Sequence, residues 1–249
     1  MIHYDSIWRA PPKDLTLPPN EIHVWRAFLD QPMPLVTWLT RQLSAAERER
    51  AARFHFAHDQ CRFTVSRGLL RILLSSYMSC SPESIQFRYN PYGKPALTEV
   101  PGMTLPNFNL SHSHELVLYA FSHNQEPGID VEFVRPIVEA KQIAERFFSR
   151  RENAVLAALT PAEMQKYFFI YWTRKEAYLK ARGTGLSIDP QSIDTDLLSD
   201  QQVDAQEGDE DAQKGAQWFL HDLAPAPGYV GALATQEYDT RIVYWQWTP

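Results

Sequence analysis

The sequence predicts an α+β protein made of two similar halves, related by a pseudo-twofold, with a functional cleft between them. Three observations carry this reading. The order strand, helices, strands runs twice along the 249 residues. Glu126-Pro127-Gly128 interrupts the chain between the two runs and divides it into 1–126 and 127–249. Apolar residues recur with period 2 in the short segments and at helical spacing in the longer ones. No repeat of individual residues is visible between the halves.

The elements follow in order. Residues up to about Asn20 are Pro-rich and are expected to wrap the surface. Ile22–Leu29 reads as a strand. Ser44 and Glu47 form a capping box, in which each side chain satisfies a free backbone N–H of the other's turn, so a helix starts there. A longer helix runs from about Asp59 to Tyr77, with Leu69, Leu70, Leu73, Leu74 and Tyr77 as its buried stripe. Ser81-Pro82-Glu83 caps a short helix, Ile85–Tyr89 is a strand, and Asn90-Pro91-Tyr92-Gly93 is a turn. Phe108–Leu110 and Leu116–Phe121 pair antiparallel. In the second half, Gly128–Val134 is a strand. Helices follow over Val138–Phe148, Arg150–Leu159 and Pro161–Arg182; Thr160-Pro161 with Glu163 starts the last one and Gly183 ends it. Trp218–Leu220, Tyr229–Ala234 and Ile242–Trp247 read as strands, and the acidic stretch Asp204–Asp211 as a mobile loop.

Composition limits the function classes. Apolar residues make up 44% and charged residues 22%, enough to build a core. The net charge of −6 argues against general nucleic-acid binding, which needs a basic face. Seven arginines nevertheless lie between Arg41 and Arg71 against Glu47, Glu49 and Asp59. That excess suits either a solvated helix surface or a small phosphorylated ligand. Cys61 and Cys80 are the only cysteines, which fits a reducing compartment. Met1–Asp5 shows no basic start or apolar run, and Leu69–Met78 is too short to span a bilayer, so the expectation is a cytoplasmic protein with no membrane contact.

Two segments carry candidate chemistry. In Gly128–Val134, Ile129, Val131 and Phe133 point to one face, and Asp130 and Glu132 to the other. Two residues of strand place the carboxylates roughly 6–7 Å apart. At an effective dielectric of 20 their repulsion is on the order of 2–3 kcal/mol. Solvent on a wet strand face relieves that repulsion, and so does a divalent cation; hard oxygen ligands suit Mg²⁺. In Tyr171–Lys180, Glu176 and Lys180 stand one turn apart. A surface ion pair worth about 0.3–0.5 kcal/mol explains them, although Trp172 shares their face. Ser149 and Glu152 make another capping box, which does not prevent the Glu152 carboxylate from facing a cleft. Ser111-His112-Ser113-His114 sits at a strand junction.

In this order the segments resemble the Sfp-type 4′-phosphopantetheinyl transferases. The matching pieces are Tyr92-Gly93-Lys94-Pro95, Phe108–Ser113, Gly128–Glu132, Arg146–Glu152 and Trp172–Ser187. The resemblance covers roughly Arg50 to Ser187. The resemblance implies that family's fold and its reaction, transfer of the phosphopantetheine arm of coenzyme A onto a serine of an acyl or peptidyl carrier protein. It implies Asp130, Glu132 and Glu176 as ligands of Mg²⁺, with Mn²⁺ as a substitute, and Lys180 on the coenzyme A phosphates with Lys175 beside it. Lys94, Pro95, Ser111 and His112 match positions that hold the adenine nucleotide. Arg50, Arg53 and Arg62 fall near its basic positions, and Glu47 stands where some relatives carry lysine. Glu152 is the first candidate to take the serine proton, Glu176 the second. The carrier is expected to dock near Arg135–Arg151 and along the helix ending at Gly183, and the two halves in one chain imply a monomer. The alternatives are a metal-dependent nucleotide phosphohydrolase and a non-catalytic coenzyme A- or carrier-binding module.

Overall fold

A computed structural model describes residues 7–185, 188–195, 201–202, 218–237 and 239–249. The N-terminal Met1–Asp5, the end of the last matching motif at Leu186 and Ser187, and the Asp204–Asp211 stretch lie outside the described residues.

The first half contains β1 (Glu21–Phe28), α1 (Met33–Gln42), α2 (Ala45–Ala52), α3 (Ala57–Met78), β2 (Phe87–Tyr89), β3 (Pro95–Leu97), β4 (Asn107–Ser113) and β5 (Leu116–Ser122). The second contains β6 (Gly128–Phe133), α4 (Ala140–Phe147), α5 (Arg150–Ala158), α6 (Pro161–Arg182), β7 (Gln201–Gln202), β8 (Phe219–Leu223), β9 (Tyr229–Thr235) and β10 (Arg241–Gln246). Sequence reading missed α1, which starts from Pro32 with no side-chain cap and buries only Val36 and Leu39. It also missed β3, whose three residues pair with β2. The helix expected from Val138 starts two residues later, after a fully exposed Val138.

One sheet has the order β10-β1-β5-β4 and the other β6-β9-β8-β7, while β2 and β3 form a separate ribbon. β10 therefore belongs to the first sheet, where it pairs parallel with β1 from Glu21↔Arg241 to Arg26↔Gln246. The chain boundary near residue 127 separates the helices of the two halves but not this strand.

The residues on each strand face explain the layering. On β1 and β5, Trp25, Ala27, Val117, Tyr119 and Phe121 pack against Leu69, Leu70, Leu73 and Leu74 of α3. The opposite face, with Ile22, Val24, Leu118 and Ala120, packs against Ile129, Val131 and Leu233 of the second sheet. Behind that sheet, Ala232, Ala234 and Leu220 meet Ala177, Tyr178 and Ala181 of α6. The order is helix, sheet, sheet, helix, with apolar contacts at every junction. The alternation in β6 points Ile129 and Val131 into the contact between sheets and leaves Asp130 and Glu132 to face α6.

Candidate active site

The site lies where α6 crosses β6, and Gly128 permits the crossing. A Cβ at Gly128 would stand 1.9 Å from the Ala177 carbonyl oxygen and 2.5 Å from the Ala181 nitrogen. Only glycine lets the helix backbone rest this closely on the strand. That approach carries Glu176 and Lys180 onto Asp130 and Glu132. Gly183 then ends α6 at φ +66, and its carbonyl accepts a hydrogen bond of 2.8 Å from Asn90 Nδ2 in the turn before β3. The helix end is thus tied to the first half.

β4 forms the other wall. Its alternating polar residues Asn109, Ser111 and Ser113 face β6. Asn109 Oδ1 accepts from the Ile129 backbone N–H at 2.9 Å. Ser111 Oγ donates to Asp130 Oδ1 at 2.7 Å, and Ser113 Oγ to Glu132 Oε2 at 2.6 Å. Lys180 Nζ donates to Asp130 Oδ1 at 2.6 Å and to Ser111 Oγ at 3.0 Å. The other Asp130 oxygen, Oδ2, is buried without a hydrogen-bond partner. Burial pushes the Glu132 carboxyl above its ordinary range and Asp130 adds to this, against Ser113, Arg135 and Lys180. Burial also raises Glu176; Lys180 opposes it, and the charges of Asp130 and Glu132 reinforce it. The three acids therefore share one electrostatic neighbourhood, with Lys180 inside it.

Two adjoining cavities open from here. One, of about 370 Å³, is lined by Tyr92, Lys94, Pro95, Glu176, Lys180 and Gly183. The next, of about 550 Å³, is lined by Pro95, His112, Arg50, Arg67 and Arg71. Lys94 Nζ donates to Glu126 Oε2 at 2.6 Å at the mouth of the first. In the second, Glu47 is buried and ion-paired with both Arg67 and Arg71. The Arg67 guanidinium lies 3.9 Å over the Phe87 ring and donates to the Tyr89 hydroxyl at 2.7 Å. Arg50 is exposed, with its guanidinium over the Phe63 ring.

Other expected site residues are placed differently. Glu152 is completely buried. Its Oε2 accepts from the Ser149 backbone N–H at 2.7 Å and pairs with Lys175 Nζ at 2.8 Å. Its Oε1 accepts from the Thr195 N–H at 2.9 Å and the Thr195 hydroxyl at 2.6 Å. A carboxylate so enclosed and so fully bonded has no path to an incoming serine, which corrects the expectation that Glu152 takes its proton. Lys175 is corrected with it: buried, it donates to Glu152 and to the carbonyls of Pro190 and Ile193, not toward the cavities. Arg62 turns to Glu115. Arg53 is the exposed C-cap of α2. Sequence reading passed over Asn109, Ser113, Arg67, Arg71 and Thr195. Asn109 and Ser113 left a trace as polar residues at period 2 in β4, and Arg67 and Arg71 as members of the arginine excess between Arg41 and Arg71.

Among the described residues, no three His, Cys, Asp or Glu side chains stand gathered for a metal ion. The donor chemistry still fits one. The unpartnered buried Oδ2 of Asp130, beside two further carboxylates that repel it and each other, calls for a hard divalent cation.

Comparison with known proteins gives the family. Residues 126–234 match the family model of the 4′-phosphopantetheinyl transferase superfamily. Residues 23–124 match the N-terminal model of 4′-phosphopantetheinyl transferases. The 4′-phosphopantetheinyl transferase HetI of Nostoc sp. is 37% identical over 240 residues, covering 96% of this chain and 98% of its own. The transferase ffp of Bacillus subtilis is 30% identical over 219 residues, 87% of this chain and 93% of its own. Sfp of Bacillus subtilis is 35% identical over 161 residues, 65% and 69% of the two chains. With both halves matched and a relative aligned over nearly its whole length, the chain belongs to the 4′-phosphopantetheinyl transferase superfamily.

Proposed function

We propose that this protein transfers the 4′-phosphopantetheine arm of coenzyme A to a serine of an acyl or peptidyl carrier protein, releasing adenosine 3′,5′-bisphosphate. The observation that carries the reading is the ion pair of Lys180 with Asp130 under one helix crossing, with Glu132 and Glu176 in the same electrostatic neighbourhood and a cavity lined by arginines beside it. Residues 1–126 hold the nucleotide end of coenzyme A, and residues 127–249 supply the acids, apart from the returning strand β10. His112 and Arg50 suit the phosphate and base of the nucleotide, with Arg67 and Arg71 held behind them by Glu47, and Lys94 and Pro95 border the passage toward Lys180.

Asp130, Glu132 and Glu176 are the residues that would hold Mg²⁺ or Mn²⁺. When bound, such an ion neutralises diphosphate charge as the P–O bond breaks. The carrier serine Oγ forms the new bond to phosphorus, and the bond to the leaving bisphosphate breaks. Lys180 steadies the charge on the departing phosphate. Glu176, bordering the cavity, is the candidate to take the serine proton directly or through water. Because the nucleophile comes from the carrier, the chain needs none of its own. No helix among the described residues is long and apolar enough to cross a membrane. With both walls of the cleft in one chain, the reading is a cytoplasmic monomer.

The test is incubation with coenzyme A, Mg²⁺ and an apo carrier protein, read by mass spectrometry. A gain of one phosphopantetheine on the carrier supports the reading, and Asp130→Ala should abolish it while keeping a cooperative melt. Phosphate release without carrier modification would instead mean a phosphohydrolase, and no turnover a binding module.

A further inference from the structure

We propose that Lys180 is the resident counter-ion of the carboxylate cluster, and that its move from Asp130 to the diphosphate makes cation binding and coenzyme A binding depend on each other. The inference deepens the transferase reading and rests on its assignment of Asp130 to the cation and Lys180 to the diphosphate.

The geometry is specific. Lys180 Nζ sits 2.6 Å from Asp130 Oδ1 and 3.0 Å from Ser111 Oγ, so one oxygen of the buried Asp130 already faces a full positive charge. A cation arriving alone would meet that ammonium as a like charge on a shared ligand. Asp130 is fixed on a central region of β6, only 5% exposed in its side chain, while the Lys180 side chain is 28% exposed and borders the cavity. The lysine, on its flexible four-carbon stem, is the partner that can move. An incoming diphosphate gives Nζ another anion within the same cavity. Asp130 Oδ1 is then freed of the ammonium, and the carboxylate, with its unpartnered Oδ2, would be open to a cation.

Lys94 shows that the arrangement is not general to the cleft. Its ammonium is held by Glu126 and lies 3.4 Å from the Ala181 carbonyl oxygen, off the cluster. It carries the same charge without occupying an Asp130 oxygen, and so serves as a control. By linkage, whatever factor coenzyme A adds to cation affinity the cation must add to coenzyme A affinity.

The experiment measures equilibrium Mn²⁺ binding by electron paramagnetic resonance on the full chain, without carrier, so that nothing turns over. In the wild type, coenzyme A should tighten Mn²⁺ by about tenfold or more, and Mn²⁺ should tighten coenzyme A by the same factor in calorimetry. Lys180→Gln should bind Mn²⁺ alone about fivefold or more tighter than wild type, and the help from coenzyme A should shrink by that factor. Lys94→Gln should leave Mn²⁺ binding alone within about twofold. Thermal melts confirm that each variant is folded. If Lys180→Gln binds Mn²⁺ alone no tighter than wild type, or if Lys94→Gln gains as much, the proposal is overturned. Should Lys180→Gln fail to fold, Lys180→Met takes its place under the same criterion, and the absence of coupling in the wild type overturns the proposal. The readout is independent of transfer: coupling without carrier modification would sink the transferase reading alone, and transfer without coupling would sink only this inference.

Discussion

Glu152 and Lys175 provide the clearest separation between a scaffold and a catalyst. Lys175→Met removes the ammonium but keeps the length of the side chain. It leaves the fully buried Glu152 carboxylate without a counter-charge and orphans the Pro190 carbonyl that Lys175 meets at 2.9 Å. Burial pulls the Lys175 ammonium below the ordinary lysine range, with Glu152, Asp194 and Asp189 pulling it back up, so the pair already works against desolvation. Removing one member of such a pair costs about 3–5 kcal/mol, a large part of the roughly 5–15 kcal/mol that holds a domain folded. Glu152→Gln is milder. The amide keeps one acceptor oxygen for the Thr195 donors but leaves the buried Lys175 ammonium with carbonyls only and turns an N–H toward the Ser149 N–H, so the cost is at the lower end of that range, about 3 kcal/mol. Urea unfolding followed by tryptophan fluorescence gives both values, and the double variant should cost less than the sum of the singles. Transfer kinetics on the folded fraction should show kcat of Glu152→Gln within about tenfold of wild type, since loss of a general base takes about 10²–10⁴-fold. A Glu152→Gln protein that matches wild-type stability and loses a hundredfold or more in kcat would refute the reasoning and restore Glu152 as the base.

Two further outcomes follow from the same geometry. Burial alone would raise the Glu47 carboxyl, but hydrogen bonds from Arg71 and the Ser44 N–H and the charge of Arg67 outweigh it, so its pKa falls below the ordinary 4.5. A depressed acid stabilises above its unfolded value, and that stability is lost as pH drops through the folded value. Glu47→Gln should cost about 3 kcal/mol at neutral pH, and the gap to wild type in urea midpoint should close as pH is taken below about 4. For carrier docking, Arg150 and Arg151 are exposed at the start of α5. Reversing both to Glu should raise the carrier KM and leave the coenzyme A affinity measured by calorimetry unchanged. An unchanged carrier KM would remove this surface.

What could be read from sequence was what repeats locally. The two serine capping boxes and the Thr160 box place the starts of α2, α5 and α6 within a residue, because the signal is the hydrogen-bond pair itself. The alternation in β6 assigns Asp130 and Glu132 to one face without any knowledge of the partner. α1 was silent because its first turn has prolines and no polar cap. β10 was read as a strand, but its parallel pairing with β1, across 220 residues from Glu21 to Arg241, has no local signal. The error at the site has a geometric cause. Lys175 and Glu176 are adjacent in sequence, yet one residue along a helix turns the side chain by about 100°. Glu176 therefore borders the cavity and Lys175 meets Glu152, and only the packing of α6 on β6 determines which goes where.

The two halves repeat at the level of residues after all. Ser44 with Glu47 and Ser149 with Glu152 each cap a short helix that precedes a helix of 22 residues. Each glutamate is buried, accepts its own N-cap N–H, and pairs with a cation on the long helix: Arg67 and Arg71 in one half, Lys175 in the other. The strand orders correspond as well, β1-β5-β4 against β6-β9-β8. A device present in both halves is explained by what both share, the joining of a short helix to a long one, so Glu152 belongs with Glu47 to the scaffold. The chemistry belongs where the halves differ. At the contact of β1 with the end of α3, Tyr77 Oη meets His23 Nδ1 and Trp25 Nε1, both at 2.8 Å, and the nearby carboxylate of Glu21, on the far nitrogen of His23, is already paired with Arg241. At the contact of β6 with the end of α6, the side chains are Asp130, Glu132, Glu176 and Lys180. Two like folds packed back to back supply rigidity twice, and the break in their likeness at this one helix–strand crossing marks where charge is kept for a substrate.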